Sequence, residues 1–272
     1  MDEVDRQIIE TSLKEAQKDL QNKEFENAII KFGAVLLKQK THSEALIGRA
    51  FAYMSLRKYD QAIIDYQLDL KHHPQNFDAL TFISVCLYES KKFNESLNYL
   101  DKLLTINPDH INALYYKALI YHDQQKFDEA LIFFDRILSL NPKHPTVLSK
   151  KFDILLCLQR INDAFSTIDK LLELEPNSFD HLFKKMSLFT TVGKFNSAIE
   201  LSNNLLKIDD NELKAAVYFN LGFIFLKKQS PTKAVEELHE AIKLFPAMKE
   251  RIKNYAHFKP LRDRADFQKI VS

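Results

Sequence analysis

The sequence has little glycine and cysteine and lacks tryptophan: its 272 residues include four glycines, two cysteines and no tryptophan. Phosphate-binding loops, tight hairpins and doubly wound sheets depend on glycine, so four isolated glycines argue against these structures. Cys86 and Cys157 are too few for a disulfide framework and are typical of a reducing compartment.

Neither charge sign is in excess, since 38 Lys+Arg oppose 37 Asp+Glu for a formal net charge of +1. This balance argues against a general nucleic-acid binder, which usually carries a strong basic excess. The N-terminus is acidic, and no apolar run approaches the roughly 20 residues that span a bilayer. We therefore predict no signal peptide, no membrane contact and a cytoplasmic location. The 21 Phe and 10 Tyr provide enough apolar surface for a large core.

What the sequence does contain is an internal repeat of 34 residues. Phe25–Ala28, Tyr59–Ala62 and Phe127–Ala130 are three copies of its marker: an aromatic residue, two polar residues and alanine. The fourth marker residue falls at 28, 62, 96, 130, 164 and 198, and a seventh copy follows at 234. With the marker as position 20, we predict an array over 1–248 and a C-terminal helical cap over 249–272. The predicted units are 9–42, 43–76, 77–110, 111–144, 145–178, 179–212 and 215–248.

Other positions of the unit predict two helices. Position 32 is proline in five units, which marks the end of the second helix. Position 8 is mostly Ala, Ser or Gly, which allows two helices to approach closely. Polar residues at position 18 predict the start of the second helix through side-chain capping. These are Asp60, Asn94, Asp128, Asn162, Asn196 and Thr232.

The repeat resembles the tetratricopeptide family, whose 34-residue period and Ala-x3-Phe…Pro pattern recur here as Ala62-x3-Tyr66…Pro74 and Ala130-x3-Phe134…Pro142. The resemblance implies an all-α fold, a right-handed superhelical solenoid of helix–turn–helix repeats. It also implies protein–protein interaction. The last 24 residues are similar to the segment that closes many bacterial arrays of this family.

No motif predicts catalysis, a cofactor or a metal site. His239-Glu240 begins a zinc-protease pattern, but Lys243 stands where the second histidine is needed. His42, His110 and His144 share position 34 of their units, so they are interpreted as polar turn residues. We therefore predict a protein that is not an enzyme and has no cofactor.

The family resemblance places positions 2, 5, 6, 9, 12 and 13 of each first helix on a concave face. Large apolar side chains occupy these positions in units 2 to 4, and exposed aromatics usually mark interaction sites. Units 5 and 6 place lysines there, and two ammonium groups beside Asn220 could hold a carboxylate. The predicted peptide-binding groove is Phe51, Met54, Phe82, Tyr88, Asn112, Tyr115, Tyr116, Leu119, Lys150, Lys184, Phe219, Asn220 and Phe223.

The leading hypothesis is an interaction module that binds an extended or helical segment of a partner protein in this groove. The alternative is a structural scaffold that forms homo-oligomers through Ile30, Ile64 and Ile132 on the second helices. No three consecutive units carry the lysine, asparagine and arginine set with which chaperone-binding members of the family hold a carboxylate. The basic C-terminal end is interpreted as a solvated cap, with contact to an acidic partner as the alternative.

Overall fold

The computed structural model describes residues 3–272, and in that range every regular element is a helix. The predicted all-α fold of tandem helical pairs is confirmed, because each helix packs chiefly against its neighbours in the chain. The helices fall into two compact units, of which the first ends at Pro142 and the second begins at Lys143.

The first compact unit holds eight helices in four consecutive pairs. The second helices begin at residues 25, 59, 93 and 127, a spacing of 34 that follows the sequence repeat. The bounds are α1 (Glu3–Gln21), α2 (Phe25–Lys38), α3 (Ser43–Ser55), α4 (Tyr59–His72), α5 (Phe77–Glu89), α6 (Phe93–Ile106), α7 (Ile111–Asp123) and α8 (Phe127–Leu140).

The second compact unit continues the pattern and then departs from it. Helix α12 ends early, at Leu205, and α13 begins at Asn211, four residues before the predicted unit boundary at 215. The bounds are α9 (Pro145–Cys157), α10 (Ile161–Leu174), α11 (Phe179–Thr191), α12 (Phe195–Leu205), α13 (Asn211–Lys227), α14 (Pro231–Leu244), α15 (Met248–Asn254), a 3₁₀ segment (Ala256–Leu261) and α16 (Ala265–Val271). The division into seven repeats stays a prediction with which these helix starts are consistent.

The repeated small residues are where the helices of a pair meet. Gly222 on α13 shows why size matters, because a Cβ there would lie 2.6 Å from Leu238 Cγ of the paired helix α14. Gly48 on α3 is equally restricted by the preceding pair, since a Cβ there would overlap the Phe32 ring of α2. Close packing of this kind tolerates little added volume. The marker column is fully buried along the chain: Ala28, Ala62, Ser96, Ala130, Ala164, Ala198 and Ala234 each have 0% exposure.

Position 15 of every predicted unit adopts the left-handed backbone conformation, with φ between 56° and 74°. In the second pair, Lys58 N–H donates to Tyr53 O at 2.8 Å and Arg57 N–H donates to Met54 O at 2.9 Å. These two bonds form a Schellman motif, which closes the first helix and turns the chain into the second. The left-handed residues are Lys23, Arg57, Lys91, Gln125, Gln159, Gly193 and Gln229.

The prediction that position 18 caps the second helix is wrong. Helix α4 begins at Tyr59, so Asp60 is already inside it, and the preceding Lys58 makes no side-chain cap bond. The Schellman turn leads directly into the second helix, so no capping side chain is needed. Side chains cap the first helices instead. The residues whose side chains accept from a backbone N–H three residues later are His42, Asn76, His110, Ser178 and Asp210.

The C-terminal segment packs onto α13 and α14 and closes the core of the second compact unit. Phe258, Leu261 and Phe267 are at most 1% exposed and lie in one apolar cluster with Leu238 and Ala241. This burial gives the terminal helical pair the apolar neighbour that a further repeat would otherwise provide. Within residues 3–272, no helix combines the length and apolar character needed to cross a membrane.

Candidate functional site

Seven of the predicted groove residues lie on the first helices of three successive pairs and are partly buried. We call them the aromatic face, since five of the seven are phenylalanine or tyrosine. Large side chains that keep part of their surface in water carry a solvation cost, which binding would relieve. The aromatic face consists of Phe51, Met54, Phe82, Tyr88, Tyr115, Tyr116 and Leu119. The eighth predicted residue of this unit, Asn112, is exposed near the start of α7.

Ring contacts organise the aromatic face into two runs that share helix α5. In the first, Phe51 meets Phe82 edge-on with ring centroids 5.8 Å apart, and Phe82 stacks on the fully buried Tyr66 at 6.1 Å. In the second, Tyr116 lies 5.5 Å from Tyr88 and 6.0 Å from Tyr115, again edge-on. Such contacts fix ring orientation, so the face is preorganised.

A polar cluster that the sequence did not predict borders the second run. The Tyr88 hydroxyl donates to Asp123 Oδ2 at 3.0 Å, and Lys91 Nζ lies 3.5 Å from the same oxygen and 5.2 Å from the Tyr88 ring centroid. Lys91 and Asp123, with Phe93, His122 and Phe127, line an open pocket of about 590 Å³. The sequence feature that could have indicated this cluster is Asp123 at position 13 of one unit, which follows Tyr88 at position 12 of the preceding unit.

Burial raises the pKa of Tyr88, and the hydrogen bond to Asp123 raises it further. Burial also raises the pKa of Tyr115 and is the first cause of the raised pKa of Tyr116. Burial alone would raise the pKa of Asp123, but hydrogen bonds with His122 and Tyr88, together with the Lys91 charge, lower it. At neutral pH the three phenols are therefore hydrogen-bond donors and Asp123 is an anion.

Two hydroxyls on the aromatic face have no partner within the described residues. Neither Tyr115 nor Tyr116 donates a hydrogen bond to the protein, and neither oxygen is among the buried unsatisfied atoms, so water reaches both. Tyr66 contrasts with them, because its hydroxyl is buried and unpartnered beneath the face. The aromatic face thus presents two hydroxyl groups, each on a half-buried ring, that are available to hydrogen-bond a partner.

Carboxylates flank this face on α5, which contains no lysine or arginine. Glu89 is exposed, and its charge raises the pKa of Tyr88 and Tyr116, which places the carboxylate near both rings. No cation of the described chain forms an ion pair with Glu89 or with Asp78 at the other end of the helix. The apolar rings therefore lie between two acids that form no ion pair with the described residues.

In the second compact unit, the predicted groove residues are largely occupied by internal contacts. Lys184 Nζ pairs with Asp180 Oδ2 at 3.1 Å, lies 3.9 Å from Asp153 Oδ1 and donates to Ser149 Oγ at 3.2 Å. Two nearby carboxylates compensate its charge, which weakens the case for carboxylate binding beside Lys150. The Asn220 amide donates to Ala216 O at 3.0 Å.

Phe219 corrects the sequence prediction. Its side chain is only 6% exposed, because Tyr255 and Phe258 of the C-terminal segment pack against the ring at 5.1 and 5.3 Å. Phe223 keeps part of its surface and meets His257 edge-on at 5.2 Å. A groove residue in a middle repeat becomes a core residue in the last one, because the closing segment covers that face.

Reactive side chains do not converge in the described part of the chain. Cys86 is buried, and burial raises the pKa of its thiol to about 12, so it is an unreactive core residue. Across residues 3–272, no three His, Cys, Asp or Glu side chains come together as a metal-binding group.

Two family models match the sequence. The model described as anaphase-promoting complex, cyclosome, subunit 3 matches residues 56–137, which include most of the aromatic face. The model described as tetratricopeptide repeat matches residues 215–248, the last predicted unit. No curated protein matches the chain by sequence.

Solved structures share the fold at low identity. A tetratricopeptide repeat protein from Parabacteroides merdae is 18% identical over 97% of this chain and 98% of its own, with a TM-score of 0.62. The C-terminal part of a repeat-containing protein from Cytophaga hutchinsonii is 15% identical over 88% and 98%, with a TM-score of 0.77. YrrB, whose structure is described as having an unusual peptide-binding site, is 18% identical over 66% and 92%, with a TM-score of 0.56.

Proposed function

This chain belongs to the tetratricopeptide repeat family, and we propose that it is an interaction module that binds a segment of a partner protein on the aromatic face. The observation that carries the proposal is the pair Tyr115 and Tyr116, whose rings are half-buried and whose hydroxyls have no partner among the described residues. Tyrosine buries much area with few rotors, and a free hydroxyl adds a directional bond to a partner backbone.

The charges around the aromatic face define the chemistry of the partner. Asp78 and Glu89 stand at opposite ends of α5 without ion-pair partners in the described chain, so a bound segment gains by placing Lys or Arg beside them. Its middle would insert apolar side chains among Phe82, Tyr88 and Tyr116. The occupant is therefore an extended or helical segment with apolar anchors flanked by basic residues. The peptide-binding site named for YrrB supports this kind of role for a related fold.

The proposed role is binding and not catalysis. The described residues carry no constellation of nucleophile, base and metal ligands, and the near-neutral net charge disfavours a nucleic-acid partner. Of the predicted groove residues, those in the first compact unit form the proposed site. Phe219 is excluded, and Lys150, Lys184, Asn220 and Phe223 are not required by it.

Photocrosslinking tests where the partner binds. A photoreactive amino acid replaces exposed Asn112 on α7, beside the aromatic face, or exposed Asn98 on α6 as the matched control. We expect irradiation in lysate from the native source to link a partner through position 112 and not through position 98. Crosslinking from position 98 alone, or equally from both positions, would overturn the proposed site.

A further inference from the structure

Helix α2 presents the most exposed large apolar side chains of the described residues. Leu37 is 84% exposed and Ile30 is 70% exposed, and the two lie seven residues apart on one helical face. Between them lie Gly33 and Ala34, so the four residues follow the i, i+3, i+4, i+7 spacing of one helix face. A Cβ placed on Gly33 would meet only Arg49 Nη1, at 3.9 Å, so the middle of this face is open.

The corresponding faces of two other second helices in the first compact unit are largely polar. On α8, exposed Ile132 is followed at the equivalent positions by Asp135, Arg136 and Ser139. On α4, exposed Ile64 is followed by Gln67, the partly buried Leu68 and Lys71, so two of the three following positions are polar. Isolated apolar side chains are common on solvated helix faces, whereas a continuous apolar stripe is not. The four-residue stripe therefore distinguishes α2 from these helices.

The charges at the two ends of α2 are complementary to each other. Glu26, in the first turn, and Lys40, two residues beyond the helix, are both exposed and form no ion pair with the described residues. Glu26 and Gly33 lie seven residues apart on α2, and Lys40 follows the extended residue Gln39 just past the end of the helix. An acid and a base therefore stand at opposite ends of the stripe. Lys38 differs, because it pairs with Asp5 at 2.9 Å.

We propose that the stripe Ile30, Gly33, Ala34 and Leu37 is a dimer interface that binds the same stripe of a second copy of this chain. In an antiparallel two-fold pairing centred on Gly33, Ile30 packs against Leu37 of the second copy. The same symmetry brings the Glu26 end of each helix to the Lys40 end of the other copy, where the opposite charges attract. Glycine at the centre lets the helix axes approach closely, so one short face gains contact area. The proposal does not depend on the aromatic face.

Sedimentation velocity over micromolar to submillimolar protein tests the interface, since a single helix pair buries the small area typical of weak association. We expect the wild type to form a concentration-dependent dimer and Leu37→Glu to remain monomeric. Ile132→Glu is the matched control, since it puts the same charge on a similarly exposed site of α8, and it should dimerise like the wild type. A monomeric wild type, or a Leu37→Glu protein that still dimerises, would overturn the proposal.

Charge reversal tests the antiparallel pairing. Glu26→Lys and Lys40→Glu should each weaken the dimer roughly fivefold, because each change removes two symmetry-related contacts. The double variant should dimerise like the wild type, since it restores opposite charges across the interface. A double variant as weak as the sum of the two single ones would contradict the antiparallel pairing.

Discussion

The Tyr88 hydroxyl donates a hydrogen bond to Asp123 Oδ2 at 3.0 Å, joining the last turns of α5 and α7 across one 34-residue repeat. The bond holds the Tyr88 ring against Tyr116 and thereby orients one edge of the aromatic face. It also makes the ionisation of Tyr88 a reporter of the geometry of this face.

Tyr88 should ionise only above the ordinary tyrosine value of about 10, because burial and the hydrogen bond to Asp123 both raise its pKa. A group whose pKa is raised on folding makes its full contribution to folding stability at any pH below its pKa in the unfolded chain. That contribution is lost as the pH rises through the folded pKa, so the loss falls in the alkaline range. Asp123→Asn removes the neighbouring anion and should lower the pKa of Tyr88 towards that ordinary value without reaching it.

NMR titration of tyrosine labelled with ¹³C at Cζ measures this change. Tyr115 is the internal control, because burial alone raises its pKa and Asp123→Asn should leave it unchanged. A Tyr88 pKa that does not respond to Asp123→Asn would contradict the hydrogen bond.

The bidentate pair of Arg49 and Asp65 should contribute far more stability than surface pairs do. Both guanidinium–carboxylate distances are 2.7 Å, and the Asp65 side chain is only 4% exposed. Arg49→Met keeps the aliphatic stem but leaves a buried carboxylate without its cation, which we expect to cost about 3 kcal/mol of unfolding free energy.

Lys92→Met is the matched control. Lys92 pairs with Asp60 at 3.1 Å, but the side chains are 45% and 81% exposed. Its removal should cost under about 1 kcal/mol. Urea denaturation measures both variants, and equal costs would show that burial of the Arg49 pair does not determine its contribution.

The left-handed turns predict opposite effects of two substitutions in the second compact unit. Gly193 has φ of 74°, and a Cβ added there would have no atom within 4 Å, so Gly193→Ala should destabilise by about 1 kcal/mol through backbone strain alone. Gln229 has φ of 57° at the equivalent turn, and Gln229→Gly should stabilise by up to about 1 kcal/mol. Thermal unfolding measures both, and the same sign for the two changes would contradict this account.

The sequence repeat predicted the helical pairing because its period and the size of its side chains can be read directly from one sequence. The marker alanines and most of the small residues of position 8 are buried where the pattern required them. The left-handed turns were not predicted, since only Gly193 among the seven turn residues is glycine. In the other six repeats the Schellman bonds hold a longer side chain in a conformation that its type disfavours.

The site was less predictable than the fold, because side-chain contacts depend on neighbours far along the chain. The period assigned Phe219 to the groove, but the residues that cover it, Tyr255 and Phe258, lie outside the repeat. Asp123 went unrecognised for the same reason, since its partner Tyr88 is 35 residues away. Repetition predicts what every unit shares, while function depends on where the units differ.

Partner capture measures most directly whether the aromatic face binds protein. The bait is the wild type, the Phe82→Ala/Tyr115→Ala/Tyr116→Ala variant, or a Tyr99→Ala/Tyr121→Ala control that truncates partly buried tyrosines outside the face. Circular dichroism confirms that all three baits are helical. The account predicts a partner that wild type and control retain and the triple variant loses. Retention by the triple variant at the wild-type level would contradict it.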